Sequence, residues 1–336
     1  MISRMPANMN ETICENMTEI ARNPYLNALL AFYLIVGTIA TPVISASIYA
    51  VLDAPGYHFN TKVLLVGHLL AMLCHCLARS FSYLVDLIKY HSHFQTGCDI
   101  LPDFEFCFVT RFLLLLGYAW FEWTSIILFF ERTLATIYRK TYENNYKRLS
   151  VALVSLQALL TFFTLVSWYW YFEPKEVRYF CKASEKSSPF LIVVVDIAVL
   201  FALFASRIGF KILILKNEQL RHTEASANLS CRFQMEENIR SNRILKLFAD
   251  YDFYFLCFYN VASIVVYTLA VDWPMSTYII FSEGSLLCPI YSLIVPCALY
   301  IKYSRDQKKT AKKLEISINV SHSEYFQHFE KVWKLK

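Results

Sequence analysis

Three groups of residues in this chain have types and spacings that could do chemistry. Cys107 and the pair Glu131–Arg132 stand twenty-five residues apart on one mostly apolar stretch, 104–138. On a helix that spacing spans ~37 Å, a bilayer's hydrocarbon core with its interfaces. A thiol at one end persists as a disulfide only outside the cytosol. The charged pair at the other end is placed to meet a cytosolic partner, a layout that transmits rather than transforms. Cys74-His75-Cys76 has the look of a soft-metal site. Adjacent helical residues point ~100° apart, however, so these side chains cannot converge on one ion and read as core packing.

The third group is the ionisable residues inside apolar spans, each a functional-site hypothesis because charge is costly in lipid. Asp196, Glu283 and Arg111 lie ~10 Å below one surface, with Arg79 close to that depth. They either line the floor of a ligand cavity or neutralise one another between helices, and the two readings are compatible. Glu122 lies deeper, ~15 Å from the opposite face. At that face Glu131 can hold Arg132, and Asp250, Asp252 or Glu237 from the sixth span can bridge to it. The plainer alternative is an arginine that snorkels to the interface.

The elements that must position these residues are membrane helices. In 336 residues, 56% are apolar and 16% aromatic, and mean hydropathy is +0.38. Seven apolar spans follow one another: about 27–52, 63–88, 104–138, 150–172, 190–215, 245–271 and 277–300. Each reaches the ~20 residues that cross a bilayer as a helix. The short alternating segments of a β-barrel are absent from the sequence. The expected fold is therefore an all-α membrane protein, a seven-transmembrane helix bundle over 27–300. It is flanked by a tail at 1–26 and a basic, amphipathic tail at 301–336.

Lysine and arginine orient it. With the amino terminus outside, the inner segments hold 21 of the 32 Lys and Arg and the outer segments hold 7, which is the positive-inside bias. The sequons at Asn10 and Asn16 agree with an extracellular amino terminus, although Asn228 and Asn319 match the same pattern in segments placed inside. The basic run from Lys302 to Lys313 suits the anionic inner leaflet better than nucleic acid. Residues Tyr325 to Trp333 have the spacing of a short interfacial helix. The polar segment before span six runs into it without a breaker, which extends that helix into the cytosol. In an oxidising exterior Cys107 pairs with Cys181 in the loop between spans four and five, tying that loop to the third helix. Cys98 with Cys181, and Cys14 with Cys98, are the competing pairings.

Ordered fragments along nearly the whole chain carry a family resemblance: Ala21-Arg22-Asn23-Pro24; His58-Phe59-Asn60-Thr61-Lys62 with His68, His75-Cys76 and Arg79; Cys98-Asp99-Ile100-Leu101 with Cys107 and Arg111. They continue with Glu131-Arg132, Ala135-Thr136 and Tyr142-Glu143, then Leu229-Ser230, Arg232-Phe233-Gln234 and Glu237-Asn238-Ile239. In this order they resemble nematode serpentine chemoreceptors of the Sra superfamily, most closely class alpha/beta, with classes alpha and beta as alternatives. The resemblance implies a G-protein-coupled receptor in the plasma membrane of sensory neurons, at their cilia. Its partners would be a small-molecule or peptide ligand and a heterotrimeric G protein, with no cofactor and no metal. Thr133 and Val295 depart from the rhodopsin-like pattern, so the detailed switch residues do not carry over.

The functional expectation is a chemosensory receptor rather than an enzyme. A ligand between spans 3, 5, 6 and 7, touching aromatics with Arg79, Arg111, Asp196 and Glu283, shifts the packing and exposes Arg132. A ligand-gated channel or a transporter is the alternative. Seven-span odorant channels place the amino terminus inside, opposite to the charge count, and seven spans do not divide into inverted halves. No zinc-protease helix motif, nucleophile elbow or phosphate-binding glycine loop is present.

Overall fold

The structure is a computed structural model. It describes residues 7–54, 57–138, 142, 146–169, 190–223, 229–269, 272–305, 307–309 and 311–312. Among these residues the regular elements are helical: α1 (Ala7–Arg22), α2 (Pro24–Asp53), α3 (Phe59–His91), α4 (Phe104–Ile137), α5 (Tyr146–Tyr169), α6 (Phe190–Thr223), α7 (Leu229–Leu269) and α8 (Met275–Gly284). After a break helix resumes at 288–305 as α9. Among the described residues six helices, counting α8 and α9 as one stretch, are long and apolar enough to cross a membrane. Of the two helices outside that set, α1 is short and α7 has 41 residues. The all-α membrane bundle expected from the sequence is the fold.

Local chemistry sets the boundaries. Asn23 caps α2, its side chain accepting from the Tyr25 and Leu26 amides, with Pro24 in the first turn. This satisfies donors that a helix start leaves orphaned. Asp103 does the same for α4 through Glu105 and Phe106. A 3₁₀ turn at Gly97–Ile100 is closed by a capping box between Thr96 and Asp99.

Two expectations change. The span read as continuous over 277–300 is interrupted at 285–287. The cause is Pro289, whose ring clashes with the carbonyl four residues back and which has no amide proton to donate. The amino-terminal stretch is no bare tail. Ile13, Met17 and Ile20 recur at helical spacing and are buried, giving α1 one apolar stripe. Met17 and Ile20 join a core cluster with Leu26, Leu30, Tyr33, Tyr83 and Tyr90. The α7 helix does extend well beyond its apolar part, beginning at Leu229. The residues proposed for an interfacial tail helix, 325–333, lie outside the described residues.

Around the bundle, side chains such as Phe201 (71% exposed), Val151 (67%) and Ile88 (62%) point outward. Arg79, Glu122, Glu131, Arg132, Asp252 and Glu283 are buried inside. Apolar groups outside and polar groups within is the arrangement hydrocarbon solvent requires.

Candidate functional site

Many of the buried polar residues form three layers. The layer near the α4 carboxyl end is built on Glu131 (0% exposed) and Arg132 (2%). The Arg132 guanidinium forks onto its neighbour, Nε to Glu131 Oε2 at 2.5 Å and Nη2 to Oε1. A planar guanidinium and a carboxylate match in this way whenever backbone geometry brings them together. Glu131 also accepts from Thr61 Oγ1 at 3.2 Å and from the Tyr142 hydroxyl. Asn60 Nδ2 donates to that hydroxyl at 2.8 Å. Burial, and then the Glu131 charge, raise the Tyr142 pKa well above the ordinary phenol value, so the ring stays a donor. The remaining reach of Arg132 goes to α7: Nη1 donates to Asn238 Oδ1 at 3.4 Å and to Ser241 Oγ at 3.5 Å. From α6, Asn217 Nδ2 donates to Thr136 Oγ1 at 3.0 Å.

The expected bridge from Asp250 or Asp252 to Arg132 is not formed. Asp250 faces α6 and the flank of its own helix, accepting from Arg207 Nε and Lys246 Nζ, each at 2.6 Å. Asp252 lies eleven residues beyond Ser241 on α7, ~16 Å along the axis. No side chain spans that distance. Neutral Asn238 and Ser241 hold the position instead.

Asp252 anchors the middle layer. It accepts from Ser125 of α4 and from the Tyr291 hydroxyl of α9. That hydroxyl lies 3.4 Å from His68 Nε2 of α3. Phe121 and Phe248 pack edge-on against the His68 ring. Four helices thus meet at one buried carboxylate.

In the layer near the α4 amino end two of the four expected charges find each other. Arg79 Nη1 bonds Glu283 Oε2 at 3.0 Å, and Tyr83 donates to the same oxygen at 2.5 Å. Tyr33 donates to the Gly284 carbonyl at 3.2 Å, drawing in α2. For Arg79 and Glu283 mutual neutralisation is the observed role. Asp196 sits apart from that pair on α6, half-buried. Arg111 is half-buried on α4. Glu122 is 1% exposed, and neither of its carboxyl oxygens has a hydrogen-bond partner among the described residues.

At the same end as Arg79, Cys14 of α1 is disulfide-bonded to Cys98, with Cα atoms 4.8 Å apart. This is one of the alternative pairings, and it excludes Cys98 with Cys181. Cys107 is also disulfide-bonded, while Cys181, its expected partner, lies outside the described residues. Asn16 is half-buried on α1, and the Asn10 side chain is outside the described set.

Reading the sequence for charge missed Asn60, Thr61, Tyr142, Asn238 and Ser241. Most fall in the fragments that carried the family resemblance, and the signal available was neutral polar residues clustered at span ends. Ser125 and Tyr291 gave less, since a lone hydroxyl in an apolar span is usually bonded to its own helix.

Compared with known proteins, residues 11–334 match the family described as serpentine type 7TM GPCR receptor class ab chemoreceptor. The chain is also similar to serpentine receptor class alpha/beta-14 of Caenorhabditis elegans, 25% identical over 333 residues that cover 93% of this chain and 82% of that protein.

Proposed function

Because the chain belongs to the class ab serpentine seven-transmembrane chemoreceptor family, we propose that it binds a small environmental molecule on its outer side and activates a heterotrimeric G protein on its inner side. The observation that carries the reading is how Arg132 is held. Its strong ion pair lies within α4, with the adjacent Glu131, and so holds no helices together. The links to α7 are two long hydrogen bonds to neutral groups, each worth about 1 kcal/mol. The polar links that hold the inner end of α7 to Arg132 are therefore weak, and separating it from α4 uncovers a guanidinium that is 2% exposed. Exposed pairs between α6 and α7, Arg221–Glu236 and Arg243–Glu218, favour movement of these two helices as one unit.

A ligand that prefers the separated packing shifts the populations by its differential affinity alone. Its contacts are with Asp196, Arg111, the Arg79–Glu283 pair and aromatic side chains. The disulfide joining Cys14 and Cys98 supports an extracellular amino terminus in the plasma membrane and a cytosolic Arg132 end, since such a bond persists outside the reducing cytosol.

The test replaces Arg132 by Gln and follows ligand-stimulated nucleotide exchange on a G protein. Loss of exchange with surface expression retained is expected. A persisting signal removes Arg132 from the coupling surface, and current carried without any G protein turns the reading to a channel.

A further inference from the structure

A cavity of about 540 Å³ lies between α3, α4 and α5, away from all three polar layers. Its size falls in the ~300–1,000 Å³ range of small-molecule sites. The rim opens to the hydrocarbon: Phe59 is 48% exposed and Leu70 51%. Lys62 marks the inner end, its ammonium donating to the Leu52 carbonyl at 2.8 Å. The wall is apolar except at one place. Gln157 of α5 is 0% exposed and spends its NH₂ on the Trp120 carbonyl and Thr124 Oγ1, both at 2.9 Å. Among the described residues its Oε1 has no partner, and neither does the Trp120 indole N–H. Both residues line the cavity.

A buried acceptor and a buried donor, both unsatisfied at membrane depth, each cost free energy that no water is there to repay. One chemical group answers both: a hydroxyl donates to Gln157 Oε1 and accepts from Trp120 Nε1. Gly67 makes room for it. A Cβ on Gly67 would stand 3.4 Å from Trp120 Nε1, covering the N–H without clash. Gly67 lies five residues along α3 from Lys62, so the hydroxyl position is ~7.5 Å inside the level of that lysine.

We propose that this cavity is a bilayer-accessed binding site for an apolar molecule carrying a single hydroxyl, recognised by Gln157 Oε1 and Trp120 Nε1 over Gly67. Two sources share that chemistry, a resident membrane sterol and a lipophilic alcohol arriving from outside. The site does not depend on G-protein coupling, and its test reads binding alone.

The full chain is placed in sterol-free lipid nanodiscs, and its thermal midpoint is followed on titration with cholesterol, cholesteryl methyl ether, 1-dodecanol and dodecane. A saturable rise is expected with a hydroxylated compound at a concentration about thirtyfold lower than with its hydroxyl-free counterpart, the value of its two hydrogen bonds. Response to cholesterol identifies the resident lipid; response to dodecanol alone identifies an external alcohol. Trp120→Phe removes the donor and should cut that preference to about fivefold. Gly67→Leu fills the space with a better helix former and should abolish the saturable response while leaving the unliganded midpoint equal or higher. The proposal is overturned if neither alcohol gives a saturable shift, if each acts no better than its counterpart, or if Gly67→Leu responds like the parent.

Discussion

Removing both neutral links between Arg132 and α7 should make the receptor active without ligand. Asn238 and Ser241 accept from Arg132 Nη1 at 3.4 and 3.5 Å, at the long limit of useful geometry. Each is therefore worth about 1 kcal/mol even though the donor is charged. Asn238→Ala with Ser241→Ala removes about 2 kcal/mol from the closed packing and leaves Nη1 buried without an acceptor. At ~1.4 kcal/mol per tenfold, the open-to-closed ratio rises about thirtyfold. A resting open population of about 1% becomes on the order of a fifth. Alanine is the better helix former at both positions, so α7 itself is not weakened. The assay is ligand-free guanine-nucleotide exchange by the purified receptor with its G protein, with each single variant alongside. Singles should raise basal exchange roughly fivefold each. Basal exchange at or below the parent's, in a double variant that folds and reaches the surface, would refute the argument that these two bonds hold the closed state.

Three further outcomes are expected. Glu283→Gln leaves Arg79 buried without its counter-charge and should cost about 3–5 kcal/mol, lowering the thermal midpoint by several degrees. Arg79→Met combined with Glu283→Met should recover most of that loss, and additive losses would mean the two charges do not interact as paired. Tyr142 has its pKa raised by burial and by Glu131. The folded state therefore keeps a proton that the unfolded chain loses above about pH 10, and stability contributed by Tyr142 falls as pH rises past that point. Between pH 9 and 11 the midpoint of Tyr142→Phe should fall less than the parent's; parallel curves would contradict it. Cys14→Ser opens a cross-link between residues 84 apart in sequence, which should cost about 4 kcal/mol in the chain-entropy account. Dithiothreitol should lower the parent's midpoint more than the variant's, and equal responses would show that this bond does not brace the outer end.

The sequence by itself determined the solvent and the class of fold. Long apolar spans leave helices as the economical way to satisfy backbone groups in lipid, and lysine and arginine lean to one side of those spans. Ordered fragments identified the family. Glu131–Arg132 could be singled out because adjacency in sequence forces proximity in space. Tertiary structure decided every partnership between helices. Arg79 and Glu283 are 204 residues apart, yet they bond at 3.0 Å. Asp250 turns to Arg207 while Asn238 and Ser241 reach Arg132. A helix's sequence specifies which residues share its face, but not how the helix is rotated or at what height it stands beside its neighbours. Those are set by how all the faces pack at once: Gly117, whose added Cβ would lie 2.7 Å from the Ala71 carbonyl, fixes how closely α4 meets α3. The same collective packing left Gln157 Oε1 and Trp120 Nε1 without partners among the described residues, beside a cavity that both residues line.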